Sequence, residues 1–299
     1  MQVGMTVGMT LPVMEPDIGP DRLHEWAGLI DEGPFGSLCF GERMAFDNPD
    51  ALTLLGAVAA WTTRVPIVTT VIVPQLHDPV ALAKALATGD RLCGGRLSVG
   101  LGVGGREEDY DAVGADHAAR TMAGLAERAV VLKRVWAGEN LTGATRPVGP
   151  PPHTPGGPPL LVGTLGPKTV RHAASWADGL AGMTLDVDVD GTAALFDVAR
   201  EAWAERGRPA PRLTTSFWFA LSETSDDPRA QIHRHLRHYM NWIPTEFVDA
   251  LAPTAGYAGD LAGLREVLAR FEAIGADEVQ LIPTGDDPEQ VRRVADLLG

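Results

Sequence analysis

Cysteine is nearly missing: Cys39 and Cys93 are the only two in 299 residues, and both fall at apolar positions. They read as buried thiols in a reducing cytoplasm, and neither a disulfide framework nor a thiol nucleophile is expected. No apolar run approaches the length of a membrane span. Residues 1–7 carry no basic region or cleavage site, so no signal peptide is expected and the location is read as cytoplasmic. Positive charge is short as well. The 25 Lys and Arg face 39 Asp and Glu, and a net charge of −14 argues against nucleic acid or an anionic membrane as partner. What remains is an ordinary globular composition, 45% hydrophobic and 21% charged, at a length that suits one large α/β barrel or two medium domains.

Strand and helix patterns alternate along the whole chain, which predicts parallel strands joined by crossover helices. Strands are expected over 3–10, 35–40, 66–70, 97–99, 160–162, 179–183, 213–221 and 278–282. Asp21 is placed to cap a helix that carries Leu23, Trp26, Ala27 and Ile30 on one face. Asp50 caps the next, through Leu54, Val58 and Trp61. Asp78-Pro79 opens a third that runs to about Cys93, and Asp as cap with Pro in the first turn is a strong start signal. Further helices are expected over 122–136, 167–176, 189–206, 228–242, 261–274 and 288–298. The segment 106–120 reads as a polar excursion. The stretch 140–159 holds seven of the 23 prolines and reads as a surface excursion, because the same rhythm resumes after it. Eight strands with their helices predict a TIM (β/α)8 barrel, one domain over 1–299, with insertions after strands 4 and 7.

The stretch 90–105 is the centre of the pattern. It reads as a helix end, a Gly-Gly turn, a short strand buried on both faces, and an exit with its side chains stripped away: five glycines fall between Gly94 and Gly104. Gly100-x-Gly102-x-x-Gly105 matches the dinucleotide fingerprint in form. It lacks a second-strand acid, however, and four charged residues, 106–109, stand where the helix should open. In a barrel the same glycines lie at the C-terminal mouth, where active sites form. Glu107, Glu108 and Asp109 follow; they are either a solvated helix start or an acid, base or substrate contact over the mouth. Glu42-Arg43 occupies the exit of the second strand, as a surface ion pair or as a mouth residue pair. The run His233-Arg234-His235-Leu236-Arg237-His238 has no supporting carboxylate or cysteine and reads as a solvated helix face, with no metal expected. Gly163-Thr164-Leu165-Gly166-Pro167-Lys168-Thr169 is either an ordinary loop or a phosphate cradle in which backbone N–H groups, Thr164 and Lys168 hold the anion. Thr69-Thr70-Val71 ends the third strand, as plain core or as a bulge beneath a planar cofactor ring.

Together these pieces resemble the bacterial luciferase-like family of flavin- and deazaflavin-dependent oxidoreductases, over nearly the full chain. The most specific section carries Pro79, Leu82-Ala83-Lys84, Asp90-Arg91, Gly94-Gly95-Arg96-Leu97, Gly100-x-Gly102-x-Gly104 and Glu108-Asp109-Tyr110-x-x-Val113-Gly114, and Arg120 and Trp136 continue it. A second section, Pro159-Leu160-Leu161-Val162-Gly163 with Gly166-Pro167-Lys168 and Ala177-Asp178-Gly179, is similar to the family's phosphate-side loop. The resemblance implies the same TIM barrel, a homodimer, and an isoalloxazine or deazaflavin ring at the mouth. The redox chemistry then belongs to the cofactor, while the barrel positions it and excludes water. In deazaflavin members the third strand ends in a bulge with a non-prolyl cis peptide, and Thr70-Val71 is the matching pair. Two positions depart from the pattern. Arg43 stands where many relatives carry His, and a guanidinium cannot serve as an acid or base near neutral pH. Gly105 stands where many carry an aromatic.

The function expected from this likeness is a coenzyme F420-dependent oxidoreductase that passes a hydride between the deazaflavin ring and a small organic substrate. The alternative is an FMN-dependent monooxygenase that uses reduced flavin and O2, and a third reading is a cofactor-free, non-catalytic barrel. Cofactor contacts are expected at Met9, Thr69, Thr70, Val71, Gly102, Gly104, Gly163, Thr164, Gly166 and Lys168. Arg43, with Glu107, Glu108 or Asp109, carries the chemistry, and the loops near Trp218 and Trp242 complete the pocket.

Overall fold

The computed structural model describes residues 4–141, 143–164 and 166–299. Val3, the expected start of the first strand, and Leu165, in the loop after the fifth, lie outside the described residues. The chain runs β1 (Thr6–Thr10), α1 (Pro20–Glu32), β2 (Ser37–Phe40), α2 (Ala51–Trp61), β3 (Ile67–Ile72), α3 (Pro79–Leu92) and β4 (Leu97–Leu101). It continues through α4 (Glu107–Val113), α5 (Met122–Trp136), β5 (Leu160–Val162), α6 (Pro167–Ala173), β6 (Gly179–Ala181), α7 (Val189–Glu205) and β7 (Arg212–Leu221). The last part holds α8 (Pro228–Tyr239), α9 (Thr245–Leu251), β8 (Tyr257–Gly259), α10 (Leu261–Ala273), β9 (Glu278–Pro283) and α11 (Glu289–Leu298).

Eight of these strands close into a barrel. Parallel pairing runs from β1 through β6 in order, then β6 to β7, β7 to β9, and β9 back to β1. The extra strand, β8, is not a stave. It pairs with the far end of β7 at Phe219–Leu221 and belongs to the insertion after β7. The expected eighth strand is therefore β9, and the expected insertions after the fourth and seventh strands are both present.

Alternation along the staves separates two cores. Met9, Leu38, Ile67 and Leu160 pack with Trp26, Val58, Leu86 and Leu132 of the surrounding helices. Their chain neighbours Cys39, Val68 and Leu161, with Ala181, form a small cluster of their own inside the barrel, and Val71 packs against it. At the floor the fully buried Glu278 is hydrogen bonded by Ser37 and Gln280 and paired with Arg212. A third cluster, with Trp218, Ile232, Leu236, Val248 and Ala252, belongs to the β7 insertion.

The expected caps are mostly present. Asp50 accepts from Thr53 N, and Asp78 accepts from Val80 N and Ala81 N. Asp21 does not cap α1. Gly19 holds that position and Pro20 opens the helix, which leaves Asp21 in the first turn. The segment 106–120 is also more ordered than expected, since α4 opens at Glu107 and ends on Gly114 in the left-handed conformation. The proline-rich excursion is pinned to the barrel. Buried Asp90 accepts from Thr154 N at 2.7 Å and Thr154 Oγ1 at 3.0 Å, and Lys84 Nζ donates to Gly149 O at 2.8 Å.

The third strand runs two residues further than expected, to Ile72, because it bulges: its register against β4 shifts between Thr69 and Ile72. Room for this comes from Gly100, where a Cβ would lie 2.2 Å from the Thr69 carbonyl oxygen. Gly100→Ala should therefore lower stability by about 1–3 kcal/mol through forced displacement of β3 or β4. The midpoint of urea unfolding measures this, and a midpoint equal to wild type would show that the bulge has slack.

Candidate functional site

A cavity of about 640 Å³ opens at the C-terminal ends of the staves. Its floor is the β3 bulge, where the Thr70–Val71 peptide is cis. The glycines around it are explained by Val71. A Cβ on Gly102 would lie 2.7 Å from one Val71 methyl, and a Cβ on Gly163 would lie 2.8 Å from the other. The stripped exits of β4 and β5 thus make room for the bulge side chain, which in turn faces the cavity.

Of the four residues expected to carry the chemistry, Arg43, Glu108 and Asp109 are turned toward one another and Glu107 points away. Arg43 is only 4% exposed; its Nε donates to Asp109 Oδ2 at 2.9 Å and its Nη2 to Glu108 Oε1 at 2.8 Å. Asp109 also accepts from Met44 N and Ala45 N. Burial lowers the Arg43 guanidinium first and the charge of Arg106 lowers it further, while Asp109 opposes both. Glu107 is exposed and pairs with Arg120 at 3.6 Å. None of Arg43, Glu107, Glu108 and Asp109 lines the cavity. The cluster is a strut that ties α4 to the exit of β2. Glu42 is likewise no surface residue; it is buried, accepts from Val73 N at 2.8 Å and sits 2.7 Å from His77 Nε2, which braces the bulge.

The expected cofactor contacts divide. Thr70, Val71, Gly102, Gly104, Gly163, Thr164 and Gly166 line the cavity. Met9 faces the helix layer, and Thr69 is turned to Gly100, its Oγ1 donating to that carbonyl at 3.1 Å. Lys168 is exposed on the first turn of α6, and the lining residue there is Thr169. Trp218 and Trp242 line the cavity as expected.

The insertion after β7 brings groups that the sequence reading passed over. His235 does not belong to a solvated face: it is 3% exposed, lines the cavity, and its Nδ1 lies 2.5 Å from Glu15 Oε1 in the β1–α1 loop. Among the described residues its Nε2 has no hydrogen-bond partner. Burial acts to raise the Glu15 carboxyl. The His235 hydrogen bond, with the charges of His235, Arg234 and His238, outweighs burial and holds Glu15 below the ordinary carboxylate range. The signal was present in the helical period: Ile232, His235, Leu236 and Tyr239 recur at three and four residues, and three of the four are buried. Tyr239 and Trp242 in turn hold Arg106, which also lines the cavity. His233 keeps to the outer face, bonded with Arg237 to Asp249 of α9. Among the described residues no group of three or more His, Cys, Asp or Glu is placed to hold a metal ion.

The profile of the luciferase-like monooxygenase family matches residues 1–292. An uncharacterized protein of Mycobacterium tuberculosis (strain ATCC 25618 / H37Rv) is 34% identical over 175 residues, which is 53% of this chain and 57% of that protein. An F420-dependent glucose-6-phosphate dehydrogenase of Nakamurella multipartita is 27% identical over 232 residues, 71% of this chain and 66% of the enzyme. The match thus spans little more than half the length of the first of these relatives. The crystal structure of monooxygenase RslO1 from Streptomyces bottropensis superposes with a TM-score of 0.77 at 21% identity, covering 98% of both chains, which is a likeness of fold. With the barrel, the bulged third strand and a profile match over nearly its whole length, this chain belongs to the luciferase-like monooxygenase family.

Proposed function

We propose that the cavity binds a deazaflavin, coenzyme F420, and that the protein is an oxidoreductase exchanging a hydride between that ring and a small organic substrate. The observation that carries this reading is the Glu15–His235 pair on the wall of an apolar cavity floored by Val71. Hydride exchange at a C–O centre needs a group that takes or gives a proton beside it. A buried imidazole oriented by a carboxylate, with no partner on its second nitrogen among the described residues, fits that role. The dehydrogenase of Nakamurella supports the deazaflavin, and FMN is the alternative that the family's flavin members keep open.

The residues present fit such a group. Val71 and the bare backbone at Gly102 and Gly104 offer a flat apolar surface to a ring. Thr10 Oγ1, buried at the cavity with no hydrogen-bond partner among the described residues, offers a donor to a polar ring edge. The exit of β5, with Gly163, Thr164, Gly166 and Thr169, would take the phosphate, and Lys168 is placed too far out to lead there. When bound, the deazaflavin supplies two-electron hydride chemistry. His235 then holds or accepts the substrate proton at Nε2, Glu15 fixes the ring through Nδ1, and the apolar walls exclude water.

Titration of the purified protein with F420 and with FMN, read by absorbance and fluorescence, should show saturable F420 binding. Tight FMN binding without F420 binding would overturn the deazaflavin, and binding of neither would favour a non-catalytic barrel. With an alcohol that a substrate screen returns, His235→Asn should cut kcat about a hundredfold while F420 affinity holds; an unchanged kcat would remove His235 from the chemistry.

Glu15 also makes a prediction about acid stability. Its folded-state pKa lies below the ordinary value of 4.5, so it favours the fold fully above that pH, and the contribution is lost as pH falls through the folded pKa. The stability gap between wild type and Glu15→Gln, from urea midpoints, should shrink as pH drops from 7 toward 3. A gap that widens would show that the carboxylate is not favoured by its partners.

A further inference from the structure

The geometry points to Arg106 as an anion-recognising group of the cavity, and hence to a substrate that carries a carboxylate or phosphate. This rests on the cavity being the substrate site proposed above. Arg106 stands at the exit of β4 and reaches across the mouth to the β7 insertion. Its guanidinium carbon lies 4.6 Å from the Tyr239 ring centroid and 4.5 Å from that of Trp242. Two aromatic contacts hold a long side chain in place while its in-plane N–H donors stay available.

Among the described residues no carboxylate uses those donors. Glu107 is paired with Arg120, and Glu108 and Asp109 are paired with Arg43. The Arg106 charge is felt at Arg43 as repulsion. Among the described residues Arg106 Nε is buried without a hydrogen-bond partner, and so is Trp242 Nε1 on one of the rings beside it. Buried donors left unmade are destabilising, and here one belongs to a cation that no described carboxylate neutralises and the other to a ring beside it. An anion at this point would accept from both.

The position favours the substrate as the source of that anion. Tyr239 stacks on His235 at 5.7 Å and 17°, so the guanidinium and the imidazole both contact the same ring. A substrate anchored by its anionic group at Arg106 would present its neighbouring carbons toward His235. The phosphate of the cofactor is the other source of the same chemistry, and the experiment separates the two.

Benzoate, inorganic phosphate and neutral benzamide are titrated by calorimetry into the full chain without cofactor, and F420 is titrated separately by fluorescence. Benzoate or phosphate should bind, with benzamide weaker by about tenfold. Arg106→Met should lower anion affinity by about 10- to 100-fold and leave F420 affinity within about twofold. Trp242→Phe keeps an aromatic ring in place against Arg106 and removes the Nε1 donor. It should lower anion affinity by a smaller factor, which separates lost recognition from a collapsed mouth. Equal anion binding by wild type and Arg106→Met, or no preference over benzamide, overturns the proposal. A roughly tenfold loss of F420 affinity in Arg106→Met, with phosphate competing against F420, assigns the anion to the cofactor and overturns the substrate class. If wild type binds neither F420 nor FMN but benzoate binding still depends on Arg106, the anion site stands and the cofactor reading fails.

Discussion

Everything at the mouth depends on one close approach. The bulged end of β3 lies so near β2, β4 and β5 that no side chain fits between them: a Cβ at Gly41 would come 2.8 Å from the Thr70 oxygen, and Gly100, Gly102 and Gly163 are blocked in the same way by Thr69 and Val71. Four glycines on three strand exits thus answer to one irregularity on a fourth. The result is a floor built around Val71 and bare backbone, with Glu15, Arg106 and His235 on the walls. That division lets a flat ring rest below while polar groups approach from the side.

Charge at the mouth follows a second rule, that buried ions are paired. Arg43 satisfies Asp109 and Glu108, and Asp109 gathers two backbone donors as well. A cluster like this reads as catalytic when only residue types are visible, because an arginine and three acids at a strand exit are the parts of many active sites. In the fold Glu108 and Asp109 are paired with Arg43 and Glu107 with Arg120, while the cavity wall takes ionisable groups from distant parts of the chain, Glu15 before α1 and His235 on α8.

The barrel was legible from the sequence because its signals are local: capped starts such as Asp78-Pro79, short apolar staves such as Leu160-Leu161-Val162, and glycines at the exits. So was the floor, since Thr70-Val71 and Gly102 are marked by motif. The walls were not. Glu15 and His235 are 220 residues apart and meet only through tertiary packing, and the basic residues around His235 hide its place in the apolar stripe of α8. Lys168 shows the converse. Its motif position suggested a phosphate ligand, while the helical turn directs Thr169, its neighbour, to the cavity. Local patterns identify which backbone is exposed, and which side chains converge there is a property of the whole fold.

The insertion after β7 carries a hydrophobic cluster separate from the main core, built from Trp218, Ile232, Leu236, Val248 and Ala252. His235, Tyr239 and Trp242 all ride on it, whereas the bulge and its glycines belong to the staves. Part of the wall and the floor beneath it are therefore encoded in different stretches of gene. Drift within 228–259 can reshape the wall at His235, Tyr239 and Trp242 while Val71 with its glycines, and Glu15 and Arg106 on other exits, stay as they are.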